Sequence, residues 1–496
     1  MTYVLALDQG TTGSTAILFD LEGRPVAKGY QEFPQYFPHD GWIEHDANEI
    51  WESVLRATSE ALAQVDIDTR DIAAIGITNQ RETLVAWDRS TGQPLCRAIV
   101  WQCRRTADYC QELRQLGLET VIRDKTGLII DPYFSGTKMR WMLQEVPAVA
   151  EAAAKGHLCF GTIDSWLISR LTGGAVHATD VSNASRTMVY NIHEQRWDPE
   201  LLKLFGIAED SLPRVLPSAG EFGKTSGNWL FPAGIPIAGV AGDQQAALFG
   251  QGCFEVGATK STYGTGAFLL MNTGEMAATN TQGLLTTIAW ALGDEPLQYA
   301  VEGSIFVAGA AVQWLRDSLG LITSAAETEA LAAAVSDTGG TYLVPAFTGL
   351  GAPYWDPYAR GIFAGITRGT TKNHLVRATL ESIAFQTKDV VELMCSETGI
   401  AVDKMRIDGG ASANNFLAQF LADILNVTVE RPAVTETTAL GAAYLAGIGC
   451  GLWTKADLVA KQQIEQRFTP KMVEAERTAH YQGWKQAVAL ALGWAK

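Results

Sequence analysis

The sequence predicts an α/β protein made of two similar halves that face a shared cleft. Three observations carry that prediction. Segments of strand type, Ala73–Thr78, Leu84–Trp87, Ile235–Val240 and Arg406–Ile407, alternate with segments of helical periodicity. At 496 residues the chain is too long for one hydrophobic core and requires two or three domains of ordinary size. Finally, the opening LDQGTTGSTAILF is echoed by STYGTGAFLLMN at Ser261–Asn272, with Gly10-Thr11 matching Gly264-Thr265 at an offset of 254 residues, about half the chain. A duplicated unit would bring one hydroxyl-bearing hairpin from each half to a cleft, which is where ligands usually bind. The division falls near Phe249, giving segments 1–248 and 249–496.

Taken in order, Tyr3–Asp20 sets the apolar runs Tyr3–Leu7 and Ala16–Phe19 around a turn that bears Gly10 and Gly13. Any tight β-turn reads this way. A turn rich in Gly, Thr and Ser also exposes N–H groups and hydroxyls that suit phosphate oxygens, and Asp8 sits at its mouth. Asn48–Ala63 repeats apolar residues at Ile50, Val54, Ala57 and Ala61 and predicts an amphipathic helix. After the strand Ala73–Thr78, the segment TNQRET places Arg81 beside Glu82. Such a pair is usually a solvated loop. In a cleft, a guanidinium fork and a carboxylate offer donors and acceptors to the neighbouring hydroxyls of a small polyol. Trp101, Tyr133 and Phe268 are available to cover its carbon edge.

The segment IPIAGVAGDQQAALFGQG, Ile235–Gly252, runs an apolar strand into Gly242 and Asp243 and then into a helical stretch. A carboxylate there is either an N-cap or a group delivered to the crevice. With Asp8 placed similarly in the first half, two carboxylates near one phosphate site suggest divided labour, one organising Mg²⁺ and one accepting a proton. The segment MRIDGGASANNFLAQFLADIL, Met405–Leu425, reads as strand, Gly-Gly turn and amphipathic helix, with Ser412 near the helix start. Gly409 and Gly410 would let a flat adenine or ribose lie against the turn, with Asn414 able to hydrogen-bond it.

Composition narrows the partners. Lys and Arg number 38 against 54 Asp and Glu, a net charge of −16 without a basic run, which argues against a nucleic-acid backbone. The seven cysteines form no C-x-x-C pair and read as reduced intracellular thiols rather than a disulfide framework or a zinc site. The N-terminus enters a strand at once, and no run of about 18 uncharged apolar residues reads as a membrane span. A cytoplasmic protein without membrane insertion is expected.

The ordered combination DQGTT (Asp8–Thr12), NQRE (Asn79–Glu82), VWQCRRT (Val100–Thr106), FSGTKMRWML (Phe134–Leu143), GDQQAAL (Gly242–Leu248), TYGTG (Thr262–Gly266) and DGGASANN (Asp408–Asn415) resembles the FGGY carbohydrate kinases, and TNQRET with VWQCRRT resembles their glycerol branch. The resemblance implies the actin-like ATPase architecture, two ribonuclease-H-like domains around a central cleft. It also implies ATP-dependent phosphorylation of glycerol to sn-glycerol 3-phosphate, with ATP as donor and Mg²⁺ as cofactor. Carried over to this chain, Arg81, Glu82, Tyr133, Asp243 and Gln244 would hold glycerol, Trp101 and Phe268 would line its apolar side, and Asp243 would be the base. Thr11, Thr12 and Ser14 would meet the phosphates, with Thr265 approaching from the second hairpin. Gly309, Gln313, Gly410 and Asn414 would form the nucleotide pocket, while Asp8 and Asp243 would attend the metal, Asp8 through water.

Homodimers or homotetramers are usual in that family. Other readings are a kinase for another polyol or ketose, such as xylulose or erythritol, and an actin- or chaperone-like nucleotide switch. The switch gives no use to the Arg81-Glu82 pair. Two departures from the family pattern stand out. Thr15 occupies a place where members commonly carry a basic residue, so that a phosphate contact is either missing or supplied elsewhere, with Lys260 the candidate. The loop NWLFPAG before Ile235 lacks the glycine-and-arginine segment through which some bacterial members bind fructose 1,6-bisphosphate, and the histidine that others have phosphorylated. No regulation through that loop is expected.

Overall fold

The computed structural model describes residues 2–278, 283–293 and 295–495. The opening hairpin forms as expected: β1 (Tyr3–Gln9) pairs antiparallel with β2 (Gly13–Phe19), closed by a 2.9 Å hydrogen bond from Gly10 N to Gly13 O. On one side β3 (Pro25–Glu32) adds antiparallel to β2. On the other, β4 (Ile72–Asn79) and β5 (Ile237–Gly242) add in parallel, so the order is β5-β4-β1-β2-β3. The predicted amphipathic helix is α1 (Ala47–Leu62), whose N-cap Asp46 accepts from Asn48 N. Its buried stripe, Ile50, Val54, Ala57 and Ala61, packs on Leu5, Leu7, Ala16 and Leu18. Beyond β5 the chain turns directly into α2 (Asp243–Gly250).

The second half repeats the plan. Its sheet comprises β6 (Thr259–Tyr263), β7 (Ala267–Gly274), β8 (Leu285–Trp290), β9 (Gln298–Ile305), β10 (Lys404–Asp408), β11 (Thr428–Pro432) and β12 (Ile464–Phe468). The order is β8-β9-β7-β6-β10-β11-β12. Without the edge strands β8 and β12, the order β11-β10-β6-β7-β9 matches the first sheet strand for strand, with the same antiparallel and parallel directions. The weak sequence echo therefore marks a duplicated topology, with β6 and β7 in the places of β1 and β2. On the outer face, α3 (Gly309–Asp317), α4 (Lys372–Thr398) and α5 (Asn415–Leu425) bury Leu315, Ile383 and Leu421 against Leu269, Met271 and Ile407.

Between the two sheets lie α2 and α6 (Thr437–Gly449), each reaching across to the opposite half. The α6 helix leaves β11 and packs on Val4, Ala6, Ala74 and Ala238 of the first sheet, while α2 brings Ala246, Leu248 and Phe249 to Leu270 and Ala300 of the second. The two helices meet at backbone distance. A Cβ on Gly441 would lie 1.8 Å from Ala246 O, and one on Gly250 would lie 2.1 Å from Thr437 O. Among the described residues no helix is long and apolar enough to cross a membrane.

This crossing predicts that Gly441→Val forces α2 and α6 apart, at a cost of about 1–3 kcal/mol as for other overpacked cores. The variant should show a lower denaturant midpoint. An unchanged midpoint would mean that the two helices do not meet there.

Candidate active site

Alternation along the strands decides which side chains reach the cleft. On β1, Leu5 and Leu7 face α1, while Val4 and Ala6, and with them Asp8, face the space between the sheets. Thr15 stands opposite Asp8 and shares its face. Ser14 stands opposite Gln9 on the other face, where its buried Oγ lies 2.8 Å from Ser53 Oγ on α1. The Ser14 hydroxyl thus points away from the cleft, which corrects the expectation that it meets phosphate. On the second sheet, Lys260 and Glu302 share one face with Leu270, and Thr262 shares it with Phe268, all directed toward the first half.

The Arg81-Glu82 segment is no solvated loop. Past the end of β4 the backbone turns sharply, with Glu82 at φ 60°, a left-handed conformation that costs a non-glycine residue on the order of 1 kcal/mol or more. Ser135 Oγ anchors the turn by donating to Glu82 O at 2.9 Å. The Arg81 side chain passes over Gly242, where a Cβ would lie 2.7 Å from its Cγ. Its Nε then lies 3.1 Å from Asp243 Oδ1, its Nη2 lies 3.4 Å from Tyr133 OH, and its Nη1 pairs with Glu302 Oε2. Asp243 is the first residue of α2, capped by Gly242, so it is not the N-cap itself. The Gln244 N–H donates to its Oδ1 at 2.7 Å.

A second buried arginine completes the cluster. Arg186 gives Nε to Glu82 Oε1 at 2.6 Å and Nη2 to Glu302 Oε1 at 3.0 Å. Exposure separates the members: the Arg81 and Glu302 side chains are 2% and 1% exposed, whereas Asp243 is 33% exposed. Asp243 is therefore the carboxylate of this contact that a substrate can touch. Burial works against the charge of Glu302, yet Arg186 and Arg81 hold its carboxyl down at about 2. Burial leaves Glu82 above the usual carboxylate range in spite of both arginines.

Trp101 joins Tyr133 to the first hairpin, donating from Nε1 to Thr11 Oγ1 at 3.0 Å while its ring meets the Tyr133 ring edge-on at 5.4 Å. Across the cleft, the buried Lys260 ammonium donates to Gln244 Oε1 and, at 2.9 Å, to Thr262 Oγ1. Its burial brings the group down to about 8. Burial, then the nearby carboxylates of Asp243 and Glu436, push Asp8 up to about 7, with Lys28 pulling the other way. A carboxyl disfavoured in this manner fits a divalent cation beside it, because Mg²⁺ typically takes one or two carboxylates together with phosphate oxygens.

A cavity of about 590 Å³ opens on the second half. Thr265, Gly309, Gln313, Gly410 and Asn414 all line it, with Leu380 and Leu417 as apolar walls. Ala308 N and Ala310 N donate to Thr265 O at 2.9 and 3.0 Å, which ties the α3 start to the second hairpin turn. Gly409, at φ 83°, has no room for a side chain, since a Cβ there would lie 2.5 Å from Tyr263 O, whereas a Cβ on Gly410 would meet nothing within 4 Å. The helix start is capped by Asn414, which accepts from Leu417 N at 3.0 Å, while Ser412 Oγ bonds back to Gly409 O.

Sequence reasoning missed Arg186, Glu302 and Gln245, the last of which bonds Thr287 Oγ1 of β8 at 3.1 Å. An acidic residue directly after the apolar Tyr299–Val301 of β9 was the available signal for Glu302. Arg186 carried none.

Comparison with known proteins agrees with this architecture. Residues 3–250 match the N-terminal domain of the FGGY family of carbohydrate kinases, and residues 259–450 match its C-terminal domain. The chain is 58% identical over 497 residues to glycerol kinase 2 of Thermotoga maritima, covering 100% of both chains. It is 59% identical over 494 residues to the glycerol kinase of Symbiobacterium thermophilum, covering 99% of each. The structure of Plasmodium falciparum glycerol kinase with ADP superposes with a TM-score of 0.94 at 36% identity, over 99% of this chain and 98% of that one. With both domains matched and the duplicated sheets in place, the chain belongs to the FGGY family of carbohydrate kinases.

Proposed function

We propose that this kinase transfers the terminal phosphoryl group of ATP to glycerol, giving sn-glycerol 3-phosphate. The carrying observation is the 3.1 Å contact of Arg81 with Asp243, which sets a guanidinium beside a solvent-reachable carboxylate at the cleft. The glycerol kinases that match the whole chain at 58–59% identity support glycerol as the acceptor.

A glycerol hydroxyl attacks poorly while it keeps its proton, and Asp243 accepts that proton as the bond to phosphorus forms. Arg81 holds the Asp243 carboxylate in place. Gln244, together with the nearly sealed Arg81 and Glu82 at the floor of the cleft beside Asp243, binds the hydroxyls of the seated acceptor, with Tyr133 beside them, and Trp101 and Phe268 cover the carbon edge. Thr11 and Thr12 of the first hairpin and Thr265 of the second meet the phosphates from opposite sides. Gly309, Gln313, Gly410 and Asn414 take the nucleoside in the cavity of about 590 Å³. Asp8 and Asp243 would hold Mg²⁺, which when bound offsets charge on the phosphate oxygens. On this reading segment 1–248 serves the acceptor and segment 249–496 the nucleotide, and closing the cleft keeps water from competing for the phosphoryl group.

ATP consumption should depend on added glycerol, with glycerol 3-phosphate as the product and a higher kcat/KM for glycerol than for xylulose or erythritol. Equal turnover without any polyol would overturn the reading. Asp243→Asn should keep the thermal midpoint and nucleotide affinity within narrow limits while lowering kcat by about 10²–10⁴, the usual range for a lost general base. Gly410→Leu, which projects a side chain into the open cavity, should raise KM for ATP by about tenfold or more and leave glycerol affinity nearly unchanged. Equal ATP affinity in that variant would place the nucleotide elsewhere.

A further inference from the structure

Most side chains proposed to hold the acceptor come from the first half, yet the groups that orient several of them come from the second. Glu302 on β9 divides its carboxylate between two buried guanidinium groups, Oε2 to Arg81 Nη1 and Oε1 to Arg186 Nη2 at 3.0 Å. Each guanidinium then carries a carboxylate of the acceptor site at its other edge. Arg81 Nε meets Asp243 at 3.1 Å, and Arg186 Nε meets Glu82 at 2.6 Å. Arg186 also lies over the Tyr133 ring, 5.6 Å from its centroid. A planar guanidinium fixed at one edge is fixed at all, so one carboxylate of the second half sets the aim of three acceptor groups in the first.

Lys260 on β6 supplies a second arm. Its ammonium donates to Gln244 Oε1, which turns the Gln244 NH₂ outward as a donor. Among the described residues, the side-chain hydrogen bonds of Glu302 go to Arg81 and Arg186 of the first half, while Lys260 bonds Gln244 of the first half and Thr262 Oγ1 of its own, with the Asp408 carboxylate acting on it from the same half. Both sit on the sheet face directed at the first half.

We propose that Glu302 and Lys260 are positioning residues through which the nucleotide-bearing half orders the acceptor site, so that acceptor affinity is set by the docking of the two halves. This rests on the reading of Arg81, Glu82, Asp243 and Gln244 as acceptor ligands. Neither residue lines the nucleotide cavity.

The test is steady-state kinetics of the full chain with glycerol and ATP varied in turn, together with thermal midpoints. Glu302→Gln should lower kcat/KM for glycerol by about thirtyfold or more while KM for ATP stays within about twofold, and Glu302→Asp should recover part of the loss. Lys260→Gln, which removes a buried ammonium whose hydrogen-bond partners are neutral, should raise KM for glycerol about fivefold or more with KM for ATP again unchanged. If Glu302→Gln fails to fold, Lys260→Gln and Glu302→Asp decide the matter. Wild-type glycerol kinetics in folded variants, or an equal loss toward ATP and glycerol, would overturn the proposal. If the wild-type chain phosphorylates a different acceptor, the glycerol reading fails, and the same variants measured with that acceptor still judge the positioning role.

Discussion

The architecture depends on the crossing of α2 and α6 between the two sheets. At Gly441 and Gly250 there is no room for a side chain, so the helices touch through their backbones. Each helix is fed by a strand of one half and packed on the other half, which makes the two sheets parts of one object. Because α2 begins with Asp243, the same close contact that joins the halves also fixes where that carboxylate stands. Longer side chains at the crossing would shift the helix and carry Asp243 with it.

Around that point the charges are arranged against the cost of burial. Two guanidiniums and the carboxylates of Glu302 and Glu82 are nearly sealed from solvent, a placement that is tolerated only with close pairing. Removing one member of such a pair typically costs about 3–5 kcal/mol, because the partner is left charged and dry. The cluster is thus a rigid base from which Asp243 projects into the cleft. Asp8 shows the converse: the charge of its carboxylate is disfavoured by burial and by Asp243, with no arginine paired to it among the described residues.

Much of this was legible in the chain. The hairpin of Tyr3–Asp20, the strand ending at Asp243, the Gly-Gly turn before α5 and the duplication itself all follow from local pattern: turn glycines, apolar runs and period. Arg81 and Glu82 were readable as a charged pair after a strand, while their burial and ion-pair partners were not. Ser14 was misplaced because a turn motif does not state the strand register, and a shift of one residue moves a side chain to the other face. Arg186 and Glu302 were invisible as a pair, since they lie 116 residues apart and meet only where the halves dock.

The sequence by itself determined the alternation of strands and helices, the doubled hairpin and the family to which the chain belongs, because those depend on short-range spacing and residue type. Only the tertiary structure decided that the second half reaches across with Glu302 and Lys260 to hold the side chains of the first. The reason is physical: a buried charge finds its partner by three-dimensional proximity in a low-dielectric interior, and proximity between distant segments is created by packing rather than by any pattern along the chain.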